Sequence, residues 1–197
     1  MPNWPADIDP QSGFRLPLPR REDMDEAGKK ALDRASAPGA SIAGLQGPSG
    51  IHLYSKGSEH LTALNRYLRY QTAFGARRRE IAILTTAREM DSQFEWFAHE
   101  PEALKEGVPQ AVLDVIKHRK STAGLDPTDA AVIELGREIF RDHKVKSATF
   151  ARVKDIFGPH KLVELVLLMG NYAGTAALLT ALDMQLPEGK QPLLPVP

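Results

Sequence analysis

The sequence predicts an all-α protein, a helical bundle with extended proline-rich arms at its N- and C-terminal ends. Between residues 58 and 183 apolar residues recur at spacings of three and four, which is the period of a helix. No segment shows the alternation of apolar and polar residues that is typical of a strand. Five of the first 20 residues and four of the last 14 are proline, which excludes regular helices there.

Length and order along the chain predict three parts. Residues 1–57 form an N-terminal arm with a short charged helix at 21–35, residues 58–183 a helical domain, and residues 184–197 an extended tail. The Gly/Pro/Ser segment 38–50 is either a surface loop or a functional lid or subunit strap.

Helix start and stop signals divide the central domain. The predicted helices cover residues 59–74, 76–90, 91–106, 109–118, 127–140 and 148–157, and a last helix begins at Pro159. Ser58 and Asp126 are expected to cap the helices that follow them, and Pro109 is expected at a first helical position. Gly107 and Gly158 are stop signals.

Composition narrows the classes of function. The 25 basic and 25 acidic residues balance, whereas a nucleic-acid interface needs a basic excess, so no nucleic-acid partner is expected. The chain has no cysteine, which excludes disulfides, thiolate metal sites and a cysteine nucleophile. The first ten residues lack the apolar segment of a signal peptide, and we therefore expect a cytoplasmic protein.

Residues 165–182 contain no charged residue and reach the length of a membrane span. Small and polar residues interrupt the segment, as they do in helices buried in a bundle or between subunits. We expect a buried or interface helix and no membrane contact. The prediction is a homo-oligomer with close helix contacts at Gly170, Ala173, Gly174 and Ala177.

Candidate catalytic residues lie on two consecutive predicted helices. Ser92, Glu95 and His99 are spaced three and four apart and share one helix face. A tight turn near Asp91 would bring Glu80, on the preceding helix, towards that face. Two carboxylates beside an imidazole are a plausible general acid–base set, since burial and mutual repulsion separate their pKa values.

The same residues also have structural explanations. Ser92 and Glu95 fit a capping box, in which Glu95 reaches back to the Ser92 amide. Glu80 could pair with a neighbouring arginine, and His99 could be an ordinary half-buried histidine. One imidazole and two carboxylates could also hold a divalent metal, although we expect direct acid–base use and no metal.

The segment "RREIAILTTAREMDSQFEWFAHEPEALKEGVPQAVLDVI", residues 78–116, resembles the core motif of the carboxymuconolactone decarboxylase family. The wider superfamily includes the alkylhydroperoxidase AhpD, in which a Cys-x-x-Cys opens the second helix. A histidine lies four residues after its second cysteine and a glutamate twelve before its first. His99 and Glu80 match these two residues, while Ser92 and Glu95 occupy the cysteine positions. Glutamate at the second position resembles the decarboxylase branch. Residues 162–189 are similar to the closing helix of longer members.

The resemblance implies an AhpD-like helical bundle and a carboxy-lyase-like (decarboxylase) enzyme that acts on a small carboxylate or lactone. It implies no organic cofactor and a homo-oligomer, a trimer or hexamer. We assign proton transfer to His99, its orientation and tuning to Glu95, and a relay role to Glu80. Ser92, Arg79 and Trp96 are the expected substrate-binding residues, with Arg79 as a carboxylate anchor and core packing as the alternative for Trp96.

Two other functions stay open. A peroxidase-like, AhpD-type activity belongs to the superfamily, but it would lack the usual cysteines. A non-catalytic helical assembly or partner-binding protein is the other alternative, because the proline-rich arms suit the wrapping of a neighbouring subunit.

Overall fold

The computed structural model describes residues 4–39 and 44–195, and over these residues the protein is all-α, as predicted. Eight α helices and one 3-10 turn at Arg21–Asp23 make up its regular structure, with no strand in the described ranges. The helices are α1 Glu26–Ser36, α2 Pro48–His52, α3 Ser58–Tyr70, α4 Ala76–Glu89, α5 Gln93–Lys105, α6 Gln110–Lys117, α7 Pro127–Phe140 and α8 Ser147–Ala181. The AhpD-like arrangement of these helices stays a prediction.

Local signals place most helix ends within a few residues. Asp126 caps α7 as predicted, and its carboxylate accepts hydrogen bonds from the amides of Thr128 and Asp129. Gly158 has a φ of 74°, so it breaks α8 into two helical parts. Asp91 has a φ of 50°, and α5 therefore begins at Gln93 instead of at Asp91.

Other boundaries also differ from the prediction. α1 begins at Glu26 instead of at residue 21, and Ser58 is the first residue of α3 instead of its cap. α3 ends at Tyr70 instead of continuing to residue 74, and Pro109 is the N-cap of α6 instead of its first residue. The predicted loop 38–50 contains the start of α2 at Pro48, and its residues 40–43 lie outside the described residues.

The chain divides into two compact units. The first unit is Met1–Asn65 with Ala177–Gln191, and the second is Arg66–Ala176 with Pro192–Pro197. The division predicted from the sequence groups residues by their order along the chain, whereas these units group them by contact.

In the first unit, residues 4–20 contain no helix, yet they form turns instead of an extended arm. The side chain of Phe14 is fully buried, and this apolar burial favours a folded segment. Gly13 lies at a φ of 75°, which a glycine adopts without strain. The amide of Arg15 donates to the carbonyl of Leu182 at 2.9 Å, and that of Gln185 donates to the carbonyl of Gly13 at 2.9 Å. Backbone hydrogen bonds therefore hold the N-terminal segment against residues 182–185 of the same chain.

The second unit is built around α4, which packs against α5, α6 and α7. Every residue of α4 from Glu80 to Arg88 is buried. Ile81, Ile83 and Leu84 are wholly buried members of a single apolar cluster that also includes residues from α5 to α8. Since no face of this part of α4 meets water, a carboxylate at Glu80 must find its partners inside the protein.

One described helix, α8, is long and apolar enough to cross a membrane by length and composition, and 39% of its apolar window is buried. Val163 and Leu167, one turn apart, keep 55% and 49% of their surface exposed. Among the described residues, nothing outside the helix lies within 4 Å of the Cβ position at Gly170 or Gly174. The predicted close contacts at these glycines would therefore have to be made with a helix of a second chain, and they stay a prediction.

Candidate active site

The turn between α4 and α5 brings Glu80 and His99 together, although they are nineteen residues apart. The Ser92 amide donates to the carbonyl of Ala87 at 2.8 Å, which closes the turn after α4. The left-handed conformation of Asp91 then reverses the chain, and α4 and α5 pack against each other. α4 and α5 are therefore antiparallel, as predicted.

His99 lies between two carboxylates. Its Nδ1 is 2.7 Å from Oε2 of Glu80, a hydrogen bond, and its Nε2 is 3.6 Å from Oε2 of Glu95. The second distance is within the range of an ion pair but too long for a direct hydrogen bond. Glu80 is 0% exposed, and Glu95 and His99 are each 4% exposed. The three predicted catalytic residues thus form one buried cluster.

The pKa of Glu80 is held below its ordinary value. Burial disfavours its charged form, but the hydrogen bond and charge of His99, together with those of Arg79, outweigh burial. Nε of Arg79 donates to Oε1 of Glu80 at 2.9 Å, so both carboxylate oxygens have a donor. Glu80 is therefore an anion at neutral pH, and it accepts a hydrogen bond from Nδ1–H of His99.

The pKa of Glu95 is shifted in the opposite direction. Burial raises the pKa of this carboxyl to about 7, against smaller lowering effects from the charges of His99 and Arg69. A hydrogen bond to the Glu95 carboxylate would stabilise its charged form, but none is found among the described residues. Glu95 can therefore gain or lose a proton near neutral pH, whereas Glu80 cannot.

Two residues that the sequence analysis missed border this cluster. The ring of Tyr172, from α8, packs edge-on against the His99 imidazole, with centroids 5.1 Å apart and planes at 84°. Arg69, near the end of α3, is close enough for its charge to act on Glu80, Glu95 and Tyr172. Tyr172 carried a weak signal, a polar atom inside an apolar helix, while Arg69 resembled any other charged residue of α3.

The predicted substrate-binding residues have different surroundings. Arg79 touches the cluster through Glu80, and its Nη1 donates to the carbonyl of Arg69 at 2.8 Å. Ser92 is buried at the start of α5. Trp96 is fully buried within the apolar cluster, where the Nζ of Lys117 lies 5.8 Å from its ring.

The capping box, the structural explanation for Glu95, does not form in the described structure. Ser92 occupies the N-cap position of α5, but its side chain makes no capping hydrogen bond in the region described. The Ser92 amide already donates its hydrogen bond to the carbonyl of Ala87, so Glu95 does not cap this amide. The structural explanation for Glu80 holds in part, because Glu80 does pair with Arg79.

Arg77, from the same run of arginines, pairs elsewhere and does not join the site. Nη1 and Nη2 of Arg77 lie 2.6 and 2.5 Å from the two oxygens of the buried Asp129, a bidentate pair that links α4 to α7. Within residues 4–39 and 44–195, no group of three or more histidine or acidic residues has the arrangement of a metal site.

Comparisons of this chain with protein-family models, curated proteins and solved structures gave no match. The cluster of Glu80, Glu95 and His99 therefore stands on its own geometry.

Proposed function

We propose that the protein is a carboxy-lyase-like enzyme that transfers a proton to carbon, with His99 as the proton donor. The observation that carries this proposal is the position of His99 between an anionic Glu80 and a Glu95 that titrates at about 7. Paired carboxyls with separated pKa values are the usual arrangement for acid–base catalysis at neutral pH.

Each residue then has one role, and the roles of the two glutamates are the reverse of those expected from the sequence, in which Glu95 orients His99 and Glu80 relays the proton. Glu80 accepts a hydrogen bond from Nδ1–H of His99 and so fixes the tautomer and the direction of the ring. Nε2 faces Glu95 and is the nitrogen that gains and loses the catalytic proton. Tyr172, packed edge-on against the ring, limits its rotation.

The proposed reaction is loss of CO2 from a small carboxylate. The bond between the carboxylate carbon and its neighbour breaks, and the electron pair is delocalised into a conjugated carbonyl group of the substrate, which gives an enolate. Protonated Nε2 of His99 gives its proton to that carbon, Glu95 returns a proton to Nε2, and water reprotonates Glu95. The resemblance of residues 78–116 to the carboxymuconolactone decarboxylase motif supports this reaction class.

The test is a screen of small 3-oxo acids and carboxylated lactones in D2O, with CO2 release and deuterium incorporation as readouts. We expect turnover in the wild type and a loss of about a hundredfold to ten-thousandfold in His99→Gln, the usual contribution of a positioned acid–base group. His118→Gln is the matched control, because His118 is exposed. Equal turnover in His99→Gln would contradict the proposal.

A non-catalytic helical assembly is the second candidate. Two observations favour it: the cluster is nearly closed to solvent, and the α8 side chains of Val163 and Leu167 are exposed. If the cluster is purely structural, His99→Gln should lower the melting temperature. The wild type should then turn over no substrate in the screen. Turnover by the wild type that depends on His99 would exclude this candidate.

A further inference from the structure

A cavity of about 250 Å³ lies in the second unit, where α3 ends and α4 begins. Its walls are Arg69, Tyr70 and Thr72 on one side and residues 74–76 with Arg79 on the other. Both charged residues of the wall are arginines, and no carboxylate lines this cavity. Its volume lies just below the range of about 300–1,000 Å³ that is usual for ligand pockets, so it suits a small molecule.

Hydrogen bonds hold the guanidinium of Arg79, whereas that of Arg69 has only a ring contact among the interactions described. Arg79 uses Nε for Glu80 and Nη1 for the carbonyl of Arg69. Nε of Arg69 is buried and has no hydrogen-bond partner in the described part of the chain. Both guanidinium carbons lie over the ring of Tyr70, at 5.1 Å for Arg69 and 5.5 Å for Arg79. Arg79 is paired with the Glu80 carboxylate, whereas no ion pair of Arg69 with a carboxylate is found in the described part of the chain. An anionic acceptor in this cavity would therefore give the Arg69 guanidinium the charged partner that it lacks.

The start of α4 adds to the positive potential. Gly75 is the N-cap of this 14-residue helix, and the first turn contains no acidic residue. The free amides and the positive end of the helix dipole therefore face the wall formed by residues 74–76, where they favour a negative group.

We infer that this cavity binds the carboxylate group of a small organic acid. A planar carboxylate matches the fork of a guanidinium, and it can take two hydrogen bonds from one arginine. Phe74 and Tyr70 offer apolar surface for the carbon skeleton. The negative group would thus meet the arginines while the rest of the molecule meets the rings.

The cavity is coupled to the acid–base cluster through its arginines. Arg79 holds Glu80, which in turn holds His99. Arg69 lines the cavity and also acts by its charge on Glu95. The identification of the bound acid as substrate rests on the proposed function, whereas binding of a carboxylate to the cavity does not.

The test is calorimetric titration of the full chain with benzoate at low ionic strength. Benzamide serves as the neutral isostere and inorganic phosphate as a competing anion. We expect benzoate to bind, benzamide to bind at least tenfold more weakly, and Arg69→Gln to weaken benzoate binding by about tenfold or more, since charge-assisted pairs are the strong ones. Arg66→Gln, an exposed arginine of the same helix, is the control and should bind like the wild type.

Equal binding of benzoate and benzamide, or unchanged binding in Arg69→Gln, would overturn the inference. Tighter binding of phosphate than of benzoate would overturn it as well, since the site would then suit a phosphate. If Arg69→Gln does not fold, Arg69→Lys keeps the charge but loses the planar fork, and it should still bind benzoate more weakly.

A second variant separates this inference from the proposed function. His99→Gln should still bind benzoate at least tenfold more tightly than benzamide, because His99 does not line the cavity and both arginines remain. Binding that depends on Arg69, together with turnover that ignores His99, would overturn the proposed function alone. Turnover that depends on His99, with benzoate binding that ignores Arg69, would overturn the present inference alone.

Discussion

Glu80 and Glu95 have the same side chain and share one histidine, yet their surroundings push their pKa values apart. Arg79 and His99 each donate to a different oxygen of Glu80, so its charge is compensated. Glu95 is equally buried, but its nearest partner among the described residues is an imidazole nitrogen 3.6 Å away. Burial raises the pKa of both carboxyls, and hydrogen bonds to the charged form of Glu80 outweigh it, whereas Glu95 has no such bond among the described residues.

At the scale of this residue, we predict a pH dependence of stability caused by Glu95. Its pKa is about 7 when folded and 4.5 as the unperturbed value, so between these pH values the folded state retains a proton that the unfolded state has released. The free energy of unfolding should therefore fall as pH rises from 4.5 to 7, by roughly 3 kcal/mol for the full shift.

Glu95→Gln has no such proton, and its stability should lack this decline. The measurement is urea unfolding of wild type and Glu95→Gln between pH 4.5 and 8. The difference between the two proteins should grow in favour of the variant as pH rises. Parallel stability curves for the two proteins would contradict the shifted pKa.

At the scale of the element, the hairpin of α4 and α5 creates the site. Spacing predicted that Glu95 and His99 share a face, and that Glu80 approaches them, because helix periodicity and a tight turn are local properties. Gly158 and Asp126 were likewise predicted from local chemistry. Short-range rules of this kind determine where helices begin, end and reverse.

Long-range packing could not be predicted in this way. Tyr172 reaches His99 from a helix that begins 48 residues later in the chain, at Ser147, and no local pattern specifies that contact. Arg69 and Arg66 are the same residue type on the same helix, and they differ in that Arg69 is partly buried whereas Arg66 is exposed. The folded turns of residues 4–20 were missed for the same reason, since proline excludes helix but does not reveal that Phe14 is buried.

A pair of N-cap variants tests the local geometry of these helices. Asp126→Ala removes two capping hydrogen bonds, at 2.9 and 3.2 Å, and should lower the free energy of unfolding by about 1 kcal/mol. Ser92→Ala removes no capping hydrogen bond of α5, so its loss should be clearly smaller. Thermal or urea unfolding measures both. A larger loss in Ser92→Ala than in Asp126→Ala would show that Ser92 does cap α5.

At the scale of the whole molecule, the exposed apolar side of α8 predicts self-association. Val163, Leu167, Gly170 and Gly174 lie on one side of the helix and are exposed in the single chain. Small residues between larger apolar ones allow a second helix to approach closely, and burial of such a surface favours association.

We predict that the purified protein is a homo-oligomer, a trimer or hexamer, by light scattering at micromolar concentration. Leu167→Glu places a charge in the contact and should yield smaller species. Lys154→Glu changes the charge of an exposed position on the first part of α8 and should leave the oligomer intact. A monomeric wild type would contradict this prediction.

A pH titration of the Glu95 carboxyl by NMR, on protein labelled with ¹³C at glutamate side chains, measures directly whether the pKa values of the two carboxyls are separated. Glu95→Gln identifies the resonance, because it removes that signal alone. We predict a midpoint near pH 7 for Glu95, and a midpoint below 4.5 for Glu80, whose resonance is assigned with Glu80→Gln. In His99→Gln, the Glu80 midpoint should rise, since a donor is lost. A midpoint near 4.5 for both carboxyls would contradict the account, because His99 would then lie between two ordinary carboxylates.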